Sequence, residues 1–181
     1  MANIFIISDT HFGQLSICEF LNVDGERMRP WMSAAEMDEA LVDNWNAVVR
    51  PQDKVYHVGD VAMKRDNIKT VGRCNGHKRL VRGNHDIFPM KYYLPFFEDI
   101  YGTRVFEDMI LSHFPLREES IKTKWTCIHG HCHSNIRPLH FGPKYLNVSI
   151  ELTEWRPLAI EEVRQRIREQ RIVWEQLQNV V

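Results

Sequence analysis

Seven side chains that can bind a metal ion occur in five short clusters along this chain of 181 residues. In chain order, the clusters are Asp9-Thr10-His11, Gly59-Asp60, Gly83-Asn84-His85-Asp86, Ser112-His113 and Gly130-His131-Cys132-His133. Their carboxylate, amide and imidazole groups together suit Mn²⁺, Fe, Ni²⁺ or Zn²⁺ better than Mg²⁺ or Ca²⁺ alone. Most clusters follow an apolar run, at the point where a buried strand is expected to end in a turn. Sheet-based enzymes gather distant residues at the C-terminal ends of their strands, so the pattern predicts a metal site there.

Each cluster, taken alone, also has an ordinary structural interpretation. An aspartate at a strand end, such as Asp9 or Asp60, caps backbone amides more often than it binds a metal. Gly83-Asn84 is a favoured turn sequence, and a histidine such as His113 at the end of an apolar run is usually a core residue. Because the ordinary interpretation needs five independent coincidences in a fixed order, the metal-binding interpretation is favoured.

Asp60 differs from the other candidates because the two oxygens of one carboxylate can bridge two cations. Gly59, which precedes it, allows the backbone to approach the site closely. His131 and His133, separated by one residue, form a common metal-binding pair, and Cys132 between them is expected to point away. The pattern is therefore compatible with two ions that share Asp60.

The elements that must position these clusters are predicted from apolar periodicity. Strands are predicted over Ile4–Ile7, Lys54–Val58 and Lys78–Arg82, within Arg104–Ser112, and over Trp125–His129 and Tyr145–Ile150. A capping box from Ser33 to Glu36 begins a helix that ends before Pro51. Its apolar stripe consists of Met37, Leu41, Trp45 and Val48.

Further helices are predicted over Asp66–Cys74 and in the C-terminal region, where the apolar face consists of Val163, Ile167, Trp174 and Leu177. Residues 12–30 are predicted to form a long loop with a helical turn near Cys18–Phe20. Residues 88–101 are predicted to form an aromatic connector packed on the core. Strands alternate with helices early in the chain and cluster late, which predicts an α/β sandwich rather than a doubly wound sheet.

The composition as a whole fits one domain, residues 1–181, with a core that needs neither disulfides nor structural zinc. The net charge of −1 argues against a broad basic face for nucleic acid, although a local basic groove is compatible with it. The four cysteines have no C-x-x-C spacing, so reduced thiols in a cytoplasmic protein are expected. No signal sequence and no membrane-spanning segment are predicted.

In order and spacing, the clusters from Asp9 to His133 resemble the motifs of the calcineurin-like metallophosphoesterases. Three further segments, Glu36-Met37-Asp38-Glu39, Asn44-Trp45-Asn46 and Val55–Asp60, are similar to segments of the small stand-alone bacterial and phage members. The resemblance implies an αββα sandwich of two mixed β-sheets flanked by helices. It also implies a dinuclear phosphohydrolase, in which two ions about 3.5–4 Å apart activate a hydroxide that attacks the phosphate ester.

The same resemblance assigns a role to each motif residue. The first metal ion is assigned to Asp9, His11, Asp60 and His133. The second is assigned to Asp60, Asn84, His113 and His131. His85 is implied to be the catalytic residue, whose imidazole faces the substrate and stabilises or protonates the leaving oxygen. Mn²⁺ is the first expectation for both ions by analogy, with Fe, Ni²⁺ and Zn²⁺ as alternatives.

The implied substrates are phosphodiesters or small phosphomonoesters, including nucleotides. Protein Ser/Thr phosphatases of this superfamily carry an aspartate three residues after the bridging one, and this aspartate orients the catalytic histidine. Met63 stands at that position here, which disfavours a protein phosphatase and leaves open whether Asp86 orients His85.

Two alternative functions remain: a metal-dependent nuclease acting in a complex, and a catalytically silent scaffold. A scaffold usually lacks ligands, whereas every expected position is filled here.

The substrate-binding residues are the least determined part of the sequence. Five basic residues could border the site and hold a phosphate oxygen, namely Arg27, Arg29, Arg117, Arg137 and Lys144. For each of them, a solvated surface charge is the favoured interpretation. Trp31 and Tyr92 could stack on a nucleobase, but packing in the core or at its rim is favoured for both. A nucleic-acid partner is not indicated, no membrane partner is expected, and a homodimer is compatible with the sequence.

Overall fold

The computed structural model describes residues 2–135 and 142–178. The strands in these ranges are β1 Ile4–Ile7, β2 Lys54–His57, β3 His77–Val81, β4 Asp99–Tyr101, β5 Thr103–Phe106, β6 Met109–Ser112, β7 Thr126–His129, β8 Tyr145–Asn147 and β9 Leu158–Ala159. The α-helices are α1 Ala34–Val48 and α2 Ile160–Gln178. Short 3₁₀ helices cover Leu15–Cys18, Arg65–Arg73, Met90–Tyr92, Glu118–Ser120, His133–Asn135 and Ile150–Leu152.

Five strands form the first sheet, in the order β4-β3-β2-β1-β9. The first four run parallel, and β9 pairs antiparallel with β1. The predicted run Ile4–Ile7 lies inside this sheet, which explains why it is apolar without alternation. The C-terminal ends of β1, β2 and β3 therefore meet at one edge.

Four strands form the second sheet, in the order β5-β6-β7-β8. Strands β6, β7 and β8 are parallel, and β5 pairs antiparallel with β6 across the turn at Glu107-Asp108. A parallel bridge between Ser8 and Ser149 joins the two sheets just beyond the ends of β1 and β8. The carboxyl ends of the parallel strands of both sheets consequently lie around a common edge.

Alternate residues of the central strands enter two different apolar layers. Phe5 and Ile7 of β1 pack with the buried face of α1, whereas Ile6 packs between the sheets with Val81 and Leu111. This is the side-chain alternation of a strand that is covered on both faces. The outcome confirms the predicted α/β sandwich of two mixed sheets with helices packed on them.

Helix α1 begins as the capping box predicted, but the box closes differently. The Ser33 hydroxyl accepts a hydrogen bond from the Glu36 amide at 3.1 Å. The Glu36 carboxylate accepts from the amide of Met32 rather than from that of Ser33. Trp45 is buried, and its indole Nε1 donates to the carbonyl of Asn75 at 3.0 Å, which ties the helix to the loop before β3.

The C-terminal helix was predicted only in part. Val163 and Ile167 of α2 are buried, and the helix packs against β1, β8 and β9. Leu177 was placed on the same apolar face, but it is 50% exposed. The two short strands β4 and β9 were not predicted, because three and two residues are too few to show a period.

Candidate metal centre

All seven predicted metal donors converge at the common edge of the two sheets. Each donor follows the end of a parallel strand: Asp9 and His11 follow β1, Asp60 follows β2, Asn84 follows β3, His113 follows β6, and His131 and His133 follow β7. His85, the predicted catalytic residue, follows β3 next to Asn84. The topology therefore brings together residues that are more than 120 positions apart in the chain.

Five of these donors have a left-handed backbone, which non-glycine residues rarely adopt. Their φ angles are 60° for Asp9, 49° for His11, 59° for Asp60, 66° for His131 and 47° for His133. Each such conformation costs on the order of 1 kcal/mol and persists only where surrounding contacts enforce it. Here the enforcing contacts run between turns, since the amide of Asp9 donates to the carbonyl of Gly59 and the amide of His11 to that of Asp60.

The first group of donors surrounds the imidazole of His11. Its Nε2 atom lies 3.8 Å from Asp9 Oδ1 and 3.5 Å from Asp60 Oδ2. His133 Nε2 also lies 3.8 Å from Asp9 Oδ1. Both ring nitrogens of His11 are buried without a hydrogen-bond partner among the described residues. These separations are too long for hydrogen bonds but suit ligands that each lie about 2.0–2.2 Å from one shared ion. The donors therefore fit a divalent cation.

The second group is arranged around the side-chain oxygen of Asn84. Asn84 Oδ1 lies 2.9 Å from His113 Nε2 and 2.9 Å from His131 Nδ1. His113 Nε2 also lies 3.3 Å from Asp60 Oδ2, the same oxygen that faces His11. His113 Nδ1 lies 2.8 Å from the carbonyl of Val58, which can only accept, so Nδ1 carries a proton and Nε2 is directed at the site.

The two groups adjoin each other through the aspartates. Asp9, Asp60 and His113 offer donor atoms that all lie within 4.8 Å of one another, as do Asp9, His11 and His133. The resemblance assigned Asp9 to the first ion alone, and in the structure it borders both groups. Asp60 Oδ2 is the atom common to the contacts of His11 and His113.

The charges of the aspartates and histidines in the site depend on one another. Burial opposes a charge on Asp9, but the surrounding imidazoles, led by His11, lower the pKa of its carboxyl well below the usual range. Burial also opposes a charge on His113, yet Asp60 and Asp9 raise the pKa of its imidazole to about 9. A cation that binds here must displace the His113 proton, so metal binding and proton release are linked.

Comparison with known proteins shows the family to which the chain belongs. A model of the calcineurin-like phosphoesterases matches residues 2–176. The chain belongs to the calcineurin-like phosphoesterase family. An uncharacterised protein of Methanocaldococcus jannaschii is 31% identical, and the match covers 96% of each chain. The gene 66 protein of Mycobacterium phage L5 is 28% identical over 83% of this chain and 87% of the phage protein.

A solved structure supports the fold of this phosphoesterase. The crystal structure of a protein of unknown function from Aquifex aeolicus superposes with a TM-score of 0.66 at 21% identity, covering 91% of this chain and 99% of the other. The expected αββα architecture is thus confirmed. Together, the family and the donor groups establish a metal-dependent phosphoesterase. Among the described helices of this phosphoesterase, none is long and apolar enough to cross a membrane.

The structure answers the question of Asp86. Its buried carboxylate accepts from the amides of Asp60, Val61 and Gly83 at 2.8–3.1 Å. Asp86 therefore joins the turns after β2 and β3 and does not orient the His85 imidazole. Within residues 2–135 and 142–178, no side chain forms a hydrogen bond with that imidazole. Its Nε2 lies 3.9 Å from Asp60 Oδ2, and the side chain is 40% exposed.

Two glycines permit the close approach of these turns. Gly59 has φ +93°, and a Cβ there would lie 2.5 Å from His113 Nδ1. A Cβ at Gly83 would lie 2.1 Å from Asp60 Oδ1 and 2.6 Å from the Asp60 amide nitrogen. The phosphoesterase thus needs glycine at both positions for steric reasons.

Cys132 was considered between the two metal-binding histidines, and Trp31 and Tyr92 were considered for stacking on a nucleobase. Cys132 is buried and belongs to neither donor group among the described residues. Trp31 packs edge-on against Trp155, with ring centroids 4.8 Å apart. The ring of Tyr92 is flanked by the side chains of Arg65 and Lys91.

Of the basic candidates, Arg27 and Arg117 are exposed, and Lys144 forms an ion pair with Glu118 at 3.0 Å. Arg29 is fully buried. The prediction of a solvated surface charge is therefore wrong for Arg29, and its guanidinium is not available to a substrate phosphate either. Arg137 and His140 lie outside the described residues.

Three histidines outside the donor set lie near the metal donors or at the surface. His57 Nε2 lies 2.9 Å from the hydroxyl of Thr10, between the two donors of the first turn. His129 Nδ1 lies 2.9 Å from the carbonyl of Gly130. His77 pairs with Glu98 at the surface. His57 therefore supports the turn that carries Asp9 and His11.

Two residues at the site were missed by sequence reasoning. The Ser149 hydroxyl donates to Asp9 Oδ2 at 2.9 Å, and Glu151 Oε1 lies 3.1 Å from His133 Nδ1. Both residues follow β8, the one strand of the second sheet's parallel set that ends in no recognisable motif. The predicted strand extended to Ile150, past the end of β8 at Asn147, and so concealed Ser149, whereas Glu151 lies just beyond it in a 3₁₀ helix.

Replacing Gly83 by alanine tests the steric argument. We expect Gly83→Ala to weaken Mn²⁺ binding by at least about tenfold, because the added Cβ collides with the Asp60 carboxylate and displaces a ligand. Isothermal titration of the metal-stripped protein measures this. Gly102→Ala is the control, since a Cβ there has no neighbour within 4 Å. Unchanged Mn²⁺ affinity in folded Gly83→Ala protein would contradict the argument.

Proposed function

We propose that this phosphoesterase is a dinuclear metal-dependent phosphohydrolase that cleaves phosphodiesters or small phosphomonoesters. The observation that carries the proposal is the position of Asp60 Oδ2, 3.5 Å from His11 Nε2 on one side and 3.3 Å from His113 Nε2 on the other. One carboxylate oxygen facing two sets of donors is the arrangement expected of a ligand that bridges two ions. All seven positions implied by the family carry a donor side chain, which argues against a catalytically silent scaffold.

In this proposal, one ion is held by Asp9, His11, Asp60 and His133, and the other by Asp60, Asn84, His113 and His131. When bound, the two ions supply a water nucleophile of lowered pKa and compensate the charge of the phosphoryl oxygens. Mn²⁺ is proposed first, because the mixed nitrogen and oxygen donors suit it. Fe, Ni²⁺ and Zn²⁺ fit the same donors.

His85 is proposed to act on the leaving group. Its backbone amide donates to Asp60 Oδ1 at 2.9 Å, which fixes the residue beside the metal donors. The ring lies edge-on to His11, with centroids 5.5 Å apart, and its side chain is more exposed than that of His11 or His113. A solvent-facing imidazole at this point can stabilise or protonate the oxygen that departs from phosphorus.

The surroundings of the site favour an organic phosphate as substrate. Phe114 is 46% exposed, and its ring centroid lies 4.5 Å from that of His131 and 5.3 Å from that of His113. An aromatic face beside the second donor group suits an organic substituent of the phosphate, such as a nucleoside. The net charge of −1 gives little support to the alternative of a nuclease acting in a complex.

Cytoplasmic localisation belongs to the same proposal. All four cysteines are free and buried, which fits a reducing compartment.

A metal add-back experiment tests the proposed activity. The metal-stripped protein is expected to be inactive towards nitrophenyl phosphodiesters, nitrophenyl phosphate and cyclic nucleotides, and Mn²⁺ is expected to restore hydrolysis of at least one class. A phosphoserine peptide is expected to remain uncleaved, because the protein phosphatase aspartate is replaced by Met63. Two bound ions without hydrolysis of any ester would favour the scaffold, and activity in the stripped protein would contradict metal catalysis.

A substitution of His85 tests its role. His85→Asn is expected to retain both ions and to lower kcat by roughly 10²–10⁴, the range for loss of a positioned acid or base. The loss should be smaller for nitrophenyl esters, whose leaving group departs without a proton. His77→Asn is the matched control, since His77 is exposed and pairs with Glu98. Loss of metal in His85→Asn, or an unchanged kcat with a poor leaving group, would show that the role is wrong.

A further inference from the structure

A buried ion pair lies behind the first group of metal donors. The Arg29 guanidinium has no exposed surface, and its Nη2 and Nε atoms lie 2.6 Å and 2.8 Å from Glu151 Oε1. The Glu151 side chain is also buried. The two residues are 122 positions apart, and neither belongs to the motifs that identified the site.

Arg29 also donates to the turn that carries Asp9 and His11, and its Nη1 atom lies 3.3 Å from Met37 Sδ. Nη2 donates to the carbonyl of Asp9 at 2.6 Å, and Nη1 donates to the carbonyl of Thr10 at 2.8 Å. Both carbonyls belong to a turn whose residues 9 and 11 have left-handed backbones. The planar fork of a guanidinium can hold two successive carbonyls and a carboxylate at once, which a lysine cannot do.

Glu151 also contacts His133, another member of the first donor group. Its Oε1 atom lies 3.1 Å from His133 Nδ1. Because an ionised carboxylate only accepts hydrogen bonds, Nδ1 must carry a proton. His133 Nε2 is then directed towards Asp9 Oδ1, 3.8 Å away.

We propose that the Arg29–Glu151 pair is a positioning element, which holds the turn of Asp9 and the imidazole of His133 in the register that one metal ion requires. The proposal rests on the proposed function, since it takes these residues as metal ligands. Arg29 holds the turn through the carbonyls of Asp9 and Thr10, and Glu151 orients the imidazole of His133. The ion pair between Arg29 and Glu151 connects these two contacts. Neither residue touches the substrate, because both are buried.

A purely structural role is the competing explanation, and the energetics of buried ion pairs allow the two to be separated. A buried pair is weak evidence for stability, because well-packed apolar residues of similar size often replace it without loss. Removing one partner leaves an unpaired buried charge and is strongly destabilising. Replacing both partners therefore keeps the fold accessible while removing the contacts that the pair makes with Asp9, Thr10 and His133.

The test is the double variant Arg29→Met/Glu151→Leu, studied by calorimetric titration of the metal-stripped protein with Mn²⁺. We expect a folded protein in which the affinity for one of two Mn²⁺ ions falls by roughly 10–100-fold, the usual effect of losing a residue that orients a ligand. Arg156→Met/Glu162→Leu, which removes a half-buried pair between the segment before β9 and helix α2, is the matched control and should bind like the wild type. Wild-type affinity for both ions in the first variant would overturn the proposal.

A second measurement decides the matter if the double variant does not fold. In zinc-loaded wild-type protein, the ¹⁵N shifts of His133 should show coordination through Nε2 and a proton on Nδ1. Coordination through Nδ1 would overturn the proposal, because Glu151 would then have no proton to accept. A wild-type protein that binds no ion at His133 would instead refute the proposed metal site itself, which distinguishes the two failures.

Discussion

Two carboxylates, those of Asp9 and Asp60, lie buried side by side where the sheets meet, and their negative charges must be compensated within the fold. Isolated buried carboxylates are too costly to remain ionised unless cations or hydrogen-bond donors surround them. The imidazoles of His11, His113 and His133 lie against these carboxylates, and backbone amides and the Ser149 hydroxyl donate to them. A site with this negative charge and this set of donors is suited to divalent cations. The need to compensate the two carboxylates therefore determines the chemistry at the edge where the two sheets meet.

The backbone around the two carboxylates also holds the metal donors in place. Five donors adopt left-handed conformations, so the turns store strain that hydrogen bonds between turns must offset. Asp86 performs part of this function by receiving the amides of Asp60, Val61 and Gly83, and Gly83 allows its turn to approach the carboxylate of Asp60. Residues that would not themselves contact a metal ion, such as Asp86 and Gly83, are therefore as necessary to the geometry of the site as the donors.

Much of the fold and of the site was predictable, because parallel strands that end in polar motifs are a local signal. Strand β1 was predicted residue for residue, and the seven predicted donors do converge. What failed depended on long-range contacts. Arg29 reads as a surface charge because nothing near it in sequence indicates that Glu151, 122 positions away, lies against it. Leu177 fits the apolar face of a helix. Whether that face is buried along its whole length depends on how far the sheets extend beneath the helix, and the apolar periodicity does not show this.

The central claim is that Asp60 joins two metal ions, and crystallography of the Mn²⁺-loaded protein tests it most directly. Anomalous scattering at the manganese edge should reveal two ions about 3.5–4 Å apart. The Asp60 carboxylate should contact both of them, with Asp9, His11 and His133 on one ion and Asn84, His113 and His131 on the other. A single ion in fully loaded crystals, or two ions with Asp60 directed away from either, would contradict the account.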